Sequence, residues 1–176
     1  HQPNFGTEGT PETYIATELL SIDNTQWRYN QTDGFDGGGI GATWYTSSHP
    51  IGTLNWFEGP SPLGFETSPG SLPLGINTTL ADPPTNNPFI ITTYFETEFQ
   101  FNGDLNDVTN LRLTHMIDDA AVFYLNGQEI DRYNMSGAAG NPVGVDELAS
   151  SVVDNATLVT SSVLAADALQ MGTNWL

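Results

Sequence analysis

The chain has 176 residues, which is enough for one domain with a sizeable core. Its 38% hydrophobic and 11% aromatic residues exclude an acidic disordered chain, and only 14% of its residues are charged, so Ser, Thr, Asn, Gln and Gly must supply most of the polar surface. A net charge of −18 with no lysine disfavours nucleic acid and anionic membranes as partners and attracts divalent cations.

The absence of cysteine excludes disulfides, thiolate nucleophiles and cysteine-ligated zinc. No apolar run is long enough for a membrane-spanning helix. No basic segment precedes His1, so a signal peptide is expected to be already removed or to lie upstream. Together with the composition, these features predict an extracellular or cell-surface protein without membrane insertion.

In chain order, the pattern predicts strands over residues 13–22 and 27–29, and then a glycine-rich loop over residues 33–41. Residues 59–88 hold most of the prolines and predict an ordered surface excursion. Residues 88–101 alternate at period two, with Phe95, Phe99 and Phe101 on one side. This alternation predicts one long, half-buried strand.

A further strand is predicted over residues 111–117. Ala121 to Leu125, Asn126-Gly127 and Gln128 to Tyr133 predict a hairpin, because Asn-Gly favours the positive φ angles of tight turns. Residues 161–171 carry a weak helical pattern that Gly172 would end. Many short strands with Gly, Pro and Asn turns predict an all-β jelly-roll or Greek-key β-sandwich.

Five segments carry a resemblance to a known family. They are WRYNQTDG (27–34), TLNWFEGPSPLGF (53–65), TTYFETEF (92–99), DDAAVFYLNGQEIDRYNM (118–135) and ALQMGTNWL (168–176). In this order they resemble galactose-binding-like β-sandwich domains of large secreted bacterial proteins, which are related to carbohydrate-binding modules. The resemblance implies a sandwich over residues 17–176, an N-terminal extension or shared strand over residues 1–16, and buried Trp27 and Trp56.

The chain departs from the family pattern at three places. Ala120 stands where glycine is usual, and Glu96 stands where a basic residue is usual. The family's final strand, expected beyond Leu176, is missing, whereas His1-Gln2 resembles the residues that follow that strand. Either a neighbouring unit donates the strand, as in donor-strand complementation, or this end is diverged or cut off.

Aromatic side chains between the glycine loop and a polar stretch suggest a sugar-binding surface. Trp44 and Tyr45, with His49 nearby, are the candidate carbohydrate-binding residues. Such residues are buried in a protein core as often as they bind a ligand, so a core role and a sugar-binding role both stay open.

Carboxylates in two places could bind calcium. Asp33 and Asp36 share the glycine-rich loop, and Asp118 and Asp119 precede a predicted strand. Turn formation and solubility are the alternative roles for them. Adjacent strand residues point to opposite faces, so Asp118 and Asp119 are not expected to face one substrate together.

The sequence contains no HExxH, GxSxG or nucleotide-binding pattern, so we do not expect an enzyme. Two functions remain. The first is a structural or adhesive repeat of a bacterial surface assembly, joined to identical or similar units through strand edges. The second is a carbohydrate-binding module beside a polysaccharide-degrading enzyme.

Overall fold

The computed structural model describes residues 15–31, 45, 49–52, 55–81 and 90–176. These residues form an all-β fold with several small sheets, which is consistent with a β-sandwich. The strands are β1 (Gln26–Asn30), β2 (Phe57–Pro60), β3 (Leu63–Gly64), β4 (Thr78–Thr79), β5 (Tyr94–Glu96), β6 (Glu98–Phe101), β7 (Thr114–Met116), β8 (Ala121–Leu125), β9 (Gln128–Tyr133), β10 (Leu158–Thr160) and β11 (Gly172–Trp175).

All strand pairs are antiparallel except β3 with β4. Strand β1 lies between β2 and β5 in a three-stranded sheet. Strand β11 pairs with β6, and this ladder extends by two backbone hydrogen bonds between Thr97 and Leu176. The β1–β5 and β6–β11 ladders therefore meet at Thr97.

The core combines apolar clusters with buried polar residues. Leu125, Ala168 and Leu169 are buried, and Phe99, Phe101 and other apolar side chains pack against them. Trp56 is fully buried, as the resemblance implies, whereas Trp27 is only half-buried. Asn30 and Asn174 are fully buried as well, so polar side chains hold part of the interior together.

The predicted hairpin is confirmed. Strands β8 and β9 are joined by Asn126 and Gly127, which have φ angles of 51° and 84°. The predicted strand over residues 27–29 is confirmed as β1, and that over residues 111–117 is confirmed in part as β7. Leu111 contributes only an isolated bridge to Leu164.

Three predictions about elements are wrong within the described residues. Residues 15–22 form no strand, and the single strand predicted over residues 88–101 is the two strands β5 and β6. Residues 161–171 form no helix, because Leu164 pairs with Leu111 and the following residues wrap around Asn174. Gly172, at φ +84°, begins β11 instead of ending a helix.

No helix among the described residues is long and apolar enough to cross a bilayer.

Candidate functional site

The predicted site residues divide between the described and the undescribed parts of the chain. Trp44, Asp33 and Asp36 lie outside the described residues. The remaining predicted residues have defined surroundings: Tyr45, His49, Asp118 and Asp119. Tyr45 and His49 each stack on another aromatic ring, and Asp118 and Asp119 form a carboxylate pair.

Glu96, at the end of β5, is the centre of a buried polar junction and is only 5% exposed. The backbone N–H of His49 donates to Glu96 Oε1 at 2.7 Å, and His49 Nδ1 lies 2.8 Å from Oε2. Arg28 Nε lies 3.3 Å from Oε1. A buried carboxylate needs such partners to offset its lost hydration. Glu96 therefore ties the segment at His49 to the sheet.

The His49 ring also covers the core. It stacks on Trp56 with ring centroids 4.5 Å apart and planes within 7° of parallel. Trp56 Nε1 is buried and has no hydrogen-bond partner among the described residues. The exposed fraction of the His49 side chain is only 13%. In this arrangement His49 links a loop to the sheet, and most of its side-chain surface is covered by neighbouring residues such as Trp56 and Glu96.

Arg28, in the middle of β1, borders a surface cleft of about 340 Å³. Its Nη1 donates to the backbone carbonyl of His49 at 3.2 Å, and its guanidinium lies 5.9 Å from the ring centroid of Trp175. Glu98 Oε2 lies 3.8 Å from Arg28 Nη2, which is too far for a direct hydrogen bond. We name this space the β1 cleft; it is lined by Gln26, Trp27, Arg28, Ile51, Glu58 and Glu98, among others.

Tyr45 lies in a second polar and aromatic cluster. It stacks on Tyr124 of β8 with ring centroids 4.3 Å apart. Burial and the nearby Glu129 carboxylate raise the pKa of Tyr124. Glu129 makes two hydrogen bonds with Arg132, and the guanidinium lowers the pKa of this carboxyl. Tyr45 is thus half-buried, not a freely exposed platform.

The prediction that Asp118 and Asp119 do not face one substrate together rested on strand alternation, and these two residues are not part of a strand. They lie in a bend before β8, where strand alternation does not apply, and the Asp119 carboxyl is near enough to influence that of Asp118. Although Asp118 is largely exposed as a residue, partial burial of its carboxyl and the adjacent Asp119 raise its pKa to about 6. Glu66 and Asp154 add to this shift. The Asp118 carboxyl therefore lies in an acidic environment.

Asp119 also has a structural role. Its Oδ1 accepts a hydrogen bond from the backbone N–H of Val153 at 2.7 Å, and its carbonyl accepts one from Asn134 Nδ2. Asn134 donates to the Ser151 carbonyl as well. Among the described residues, no group of three or more His, Asp or Glu side chains is arranged to hold a metal ion. Calcium binding stays a prediction, since Asp33 and Asp36 lie outside the described residues.

Sequence reasoning missed the two buried Glu–Arg contacts as organising features. A usable signal was present: the chain has only three cationic side chains, so a glutamate in an apolar strand pattern needs one of them or a histidine as its partner. Glu96 is such a residue. Its partners could not be identified, because they are far from it in sequence.

The resemblance stated above finds no independent support from known proteins. Comparison of the chain with protein-family models, with curated protein sequences and with solved structures gave no match.

Proposed function

We propose that the chain is a non-catalytic extracellular module, a structural or adhesive unit of a bacterial surface assembly. Its fold is a jelly-roll sandwich of the galactose-binding-like type, and its partners are identical or similar units that contact it through strand edges. Calcium bound by Asp33, Asp36, Asp118 or Asp119 is part of this proposal as a structural ion.

The roles of the motif residues support a structural interpretation of the resemblance. Asn126, Asn134 and Asn174 come from the segments that carry it. Each uses its side-chain amide to hold a loop: Asn126 Nδ2 donates to the Ala168 carbonyl, for example, and Asn174 Nδ2 to the Gln170 carbonyl. Side chains used in this way stabilise a fold and are not available to a ligand.

Two clusters of charged side chains in the described part of the chain support a non-catalytic role in the same way. His49, Glu96 and Arg28 link a loop to the sheet, and Glu129 and Arg132 form a largely buried ion pair. Groups of this kind are candidates for acid–base chemistry when they face an open site. Here their partners are other parts of the same chain.

The observation that carries the proposal is the exposure of large apolar side chains along the chain around β10, a strand with one unpaired edge in the described part of the chain. Large apolar side chains are exposed before, within and after this strand: Leu148, Val152, Leu158 and Val163. Val152 is 81% exposed. In the described part of the chain β10 pairs on one side only, with β7. Exposed apolar surface beside a strand edge is a common feature of association surfaces.

Sedimentation velocity over a wide concentration range, with and without calcium, tests this proposal. The wild-type chain should associate as its concentration rises, and the double variant Val152→Lys with Leu158→Lys should stay monomeric, because lysine at an edge blocks strand addition. Ile15→Lys is the matched control, since Ile15 is 89% exposed but lies outside this region. A wild-type chain that is monomeric at every concentration would contradict the proposal.

A further inference from the structure

We propose that Asn155, in the bend before β10, is a site of N-linked glycosylation. This modification attaches a sugar covalently to the side-chain amide nitrogen, and it goes beyond the association proposed above without depending on it. Its acceptor pattern is Asn-x-Ser/Thr. The sequence contains this pattern at Asn30-Gln-Thr, Asn77-Thr-Thr, Asn134-Met-Ser and Asn155-Ala-Thr.

The fold occupies or buries three of these four asparagines. Asn30 is fully buried in β1. Asn77 Nδ2 donates hydrogen bonds to two oxygen atoms of the chain, and Asn134 Nδ2 does the same. A transferase could reach these nitrogens only by unfolding part of the protein or by breaking two hydrogen bonds.

Asn155 is held in a different way. Its side chain is exposed, and its Oδ1 accepts a hydrogen bond from Ser71 Oγ at 2.8 Å. Its Nδ2 makes no hydrogen bond with any residue that the structure describes. The amide is therefore oriented through its oxygen, while the nitrogen that would carry the sugar stays available.

The other two residues of the motif present it to an enzyme. Ala156 is only 5% exposed and anchors the segment, whereas Asn155 and Thr157 on either side of it are exposed. The Thr157 hydroxyl makes no hydrogen bond within the described part of the chain. The asparagine and the hydroxyl that define the acceptor pattern are thus accessible together.

The reaction would be a transfer from a sugar whose anomeric carbon carries a phosphate leaving group, either in a nucleotide sugar or in a lipid-linked pyrophosphate. Asn155 Nδ2 bonds to the anomeric carbon, and the bond from that carbon to the phosphate oxygen breaks. The phosphate leaves as an anion, and one amide proton passes to a base of the transferase. The Asn155 carbonyl is kept, so it can still accept from Ser71.

The position of Asn155 gives the modification a consequence, which rests on the proposed function. Val152 and Leu158 are each three residues from Asn155, and three residues span at most roughly 11 Å. A hydrated sugar at Asn155 would therefore lie beside exposed apolar side chains that the association uses. The modified chain should stay monomeric at concentrations where the unmodified chain associates.

Mass spectrometry tests the site. The folded chain is treated with two asparagine glycosyltransferases, one that uses a nucleotide sugar and one that uses a lipid-linked pyrophosphate donor, and the two reactions distinguish the sources of the sugar. Peptide mapping should place a single sugar unit on Asn155. Thr157→Ala should abolish the modification, and the matched control Thr157→Ser, which keeps the hydroxyl, should retain it.

Synthetic peptides that span each of the four motifs show what the transferases accept without the fold, and the chain purified from its native host shows the modification in the cell. The proposal is overturned if the Asn155 peptide is modified but the folded chain is not, if Asn77 or Asn134 of the folded chain reacts to the same extent, or if the native chain carries no sugar at Asn155. Sedimentation velocity of the modified chain tests the consequence. A modified chain that associates like the unmodified one removes the control of association, whereas an unmodified chain that never associates contradicts the proposed function and leaves the mass result standing.

Discussion

Single buried polar residues hold much of this protein together. Asn174 Oδ1 accepts from Asn126 Nδ2 and from the Gln170 backbone, and its Nδ2 donates to the carbonyls of Gln170 and Gly172. A fully buried amide with all its hydrogen bonds made specifies one loop conformation, whereas an unmet bond would cost about 1–3 kcal/mol. Asn174 therefore determines how the chain enters β11.

His115 on β7 is a buried polar residue whose hydrogen bonds are not all made. Its ring packs against those of Phe123 and Tyr133, and its buried Nδ1 has no partner among the described residues. Burial lowers the pKa of His115 below its ordinary value of 6.5, and the nearby Asp131 carboxylate partly opposes this shift. The folded state therefore favours the neutral imidazole.

The His115→Phe variant should reveal a pH dependence that belongs to this residue. Well above pH 6.5 the imidazole is neutral in both states, so His115 adds no pH dependence there. As the pH falls below 6.5, the unfolded chain takes up a proton that the folded chain resists. The wild type should then lose stability relative to the variant, by at most about 1.4 kcal/mol per pH unit. Urea unfolding at several pH values measures this difference.

Comparing the variant with the wild type cancels the contributions of other groups. Asp118 matters most here, because its raised pKa gives the opposite sign: this group favours the folded state more as the pH falls from about 6. If wild type and variant keep a constant stability difference from pH 8 to pH 5, the assignment to His115 is wrong.

At the scale of elements, the hairpin of β8 and β9 joins local turn chemistry to a long-range contact. Asn126 and Gly127 both adopt positive φ angles, which glycine and asparagine tolerate best. The Asn126 side chain also donates to the Ala168 carbonyl and accepts from the Trp175 backbone. The turn thus fastens the hairpin to β11.

Substitutions in this turn should separate the contribution of the backbone conformation from that of the Asn126 side-chain hydrogen bonds. Asn126→Gly keeps the backbone conformation but removes three side-chain hydrogen bonds, so it should lower the free energy of unfolding by about 3 kcal/mol. Gly127→Ala keeps those bonds but strains a left-handed position, at a cost of ~1–2 kcal/mol. Urea unfolding measures both effects.

Gly144→Ala is the control for added bulk, since its methyl group would meet open space. It should change the free energy of unfolding little. An Asn126→Gly variant as stable as the wild type would mean that the bonds to β11 contribute nothing.

For the molecule as a whole, charge is the dominant feature. Twenty-one acidic side chains face only three cationic ones, and two of those, Arg28 and Arg132, are already used in contacts with glutamates. The remaining acidic groups repel one another and favour a more expanded chain. Screening ions should therefore stabilise the fold, and a specifically bound divalent cation should do so more strongly.

Calcium should raise the Tm beyond an ionic-strength-matched sodium chloride control, and EDTA should reverse the gain. The Tm should rise because calcium binds the folded state and not the unfolded chain. At a calcium concentration one hundred times Kd, the free energy of unfolding should increase by about 2.7 kcal/mol. Asp33→Asn and Asp118→Asn test the two predicted sites, with the exposed Asp146→Asn as control. A Tm that follows ionic strength alone would remove calcium from the proposal.

Local sequence determined the all-β class, strand β1 and the turn at Asn126-Gly127. Alternation and turn chemistry depend on a few neighbouring residues, so they can be recognised in the sequence without knowing the rest of the fold. The weak helical pattern over residues 161–171 was misleading, because a bridge to Leu111 and hydrogen bonds to Asn174 override a local preference.

Only the tertiary structure decided the candidate site. His49 and Glu96 are 47 residues apart in sequence, and no periodicity links them or predicts that Arg28 would line a cleft between strands. Asp118 and Asp119 lie in a bend, which the alternation of a strand could not foresee. Contacts of this kind depend on which strands pair, and pairing is set by burial over the whole molecule.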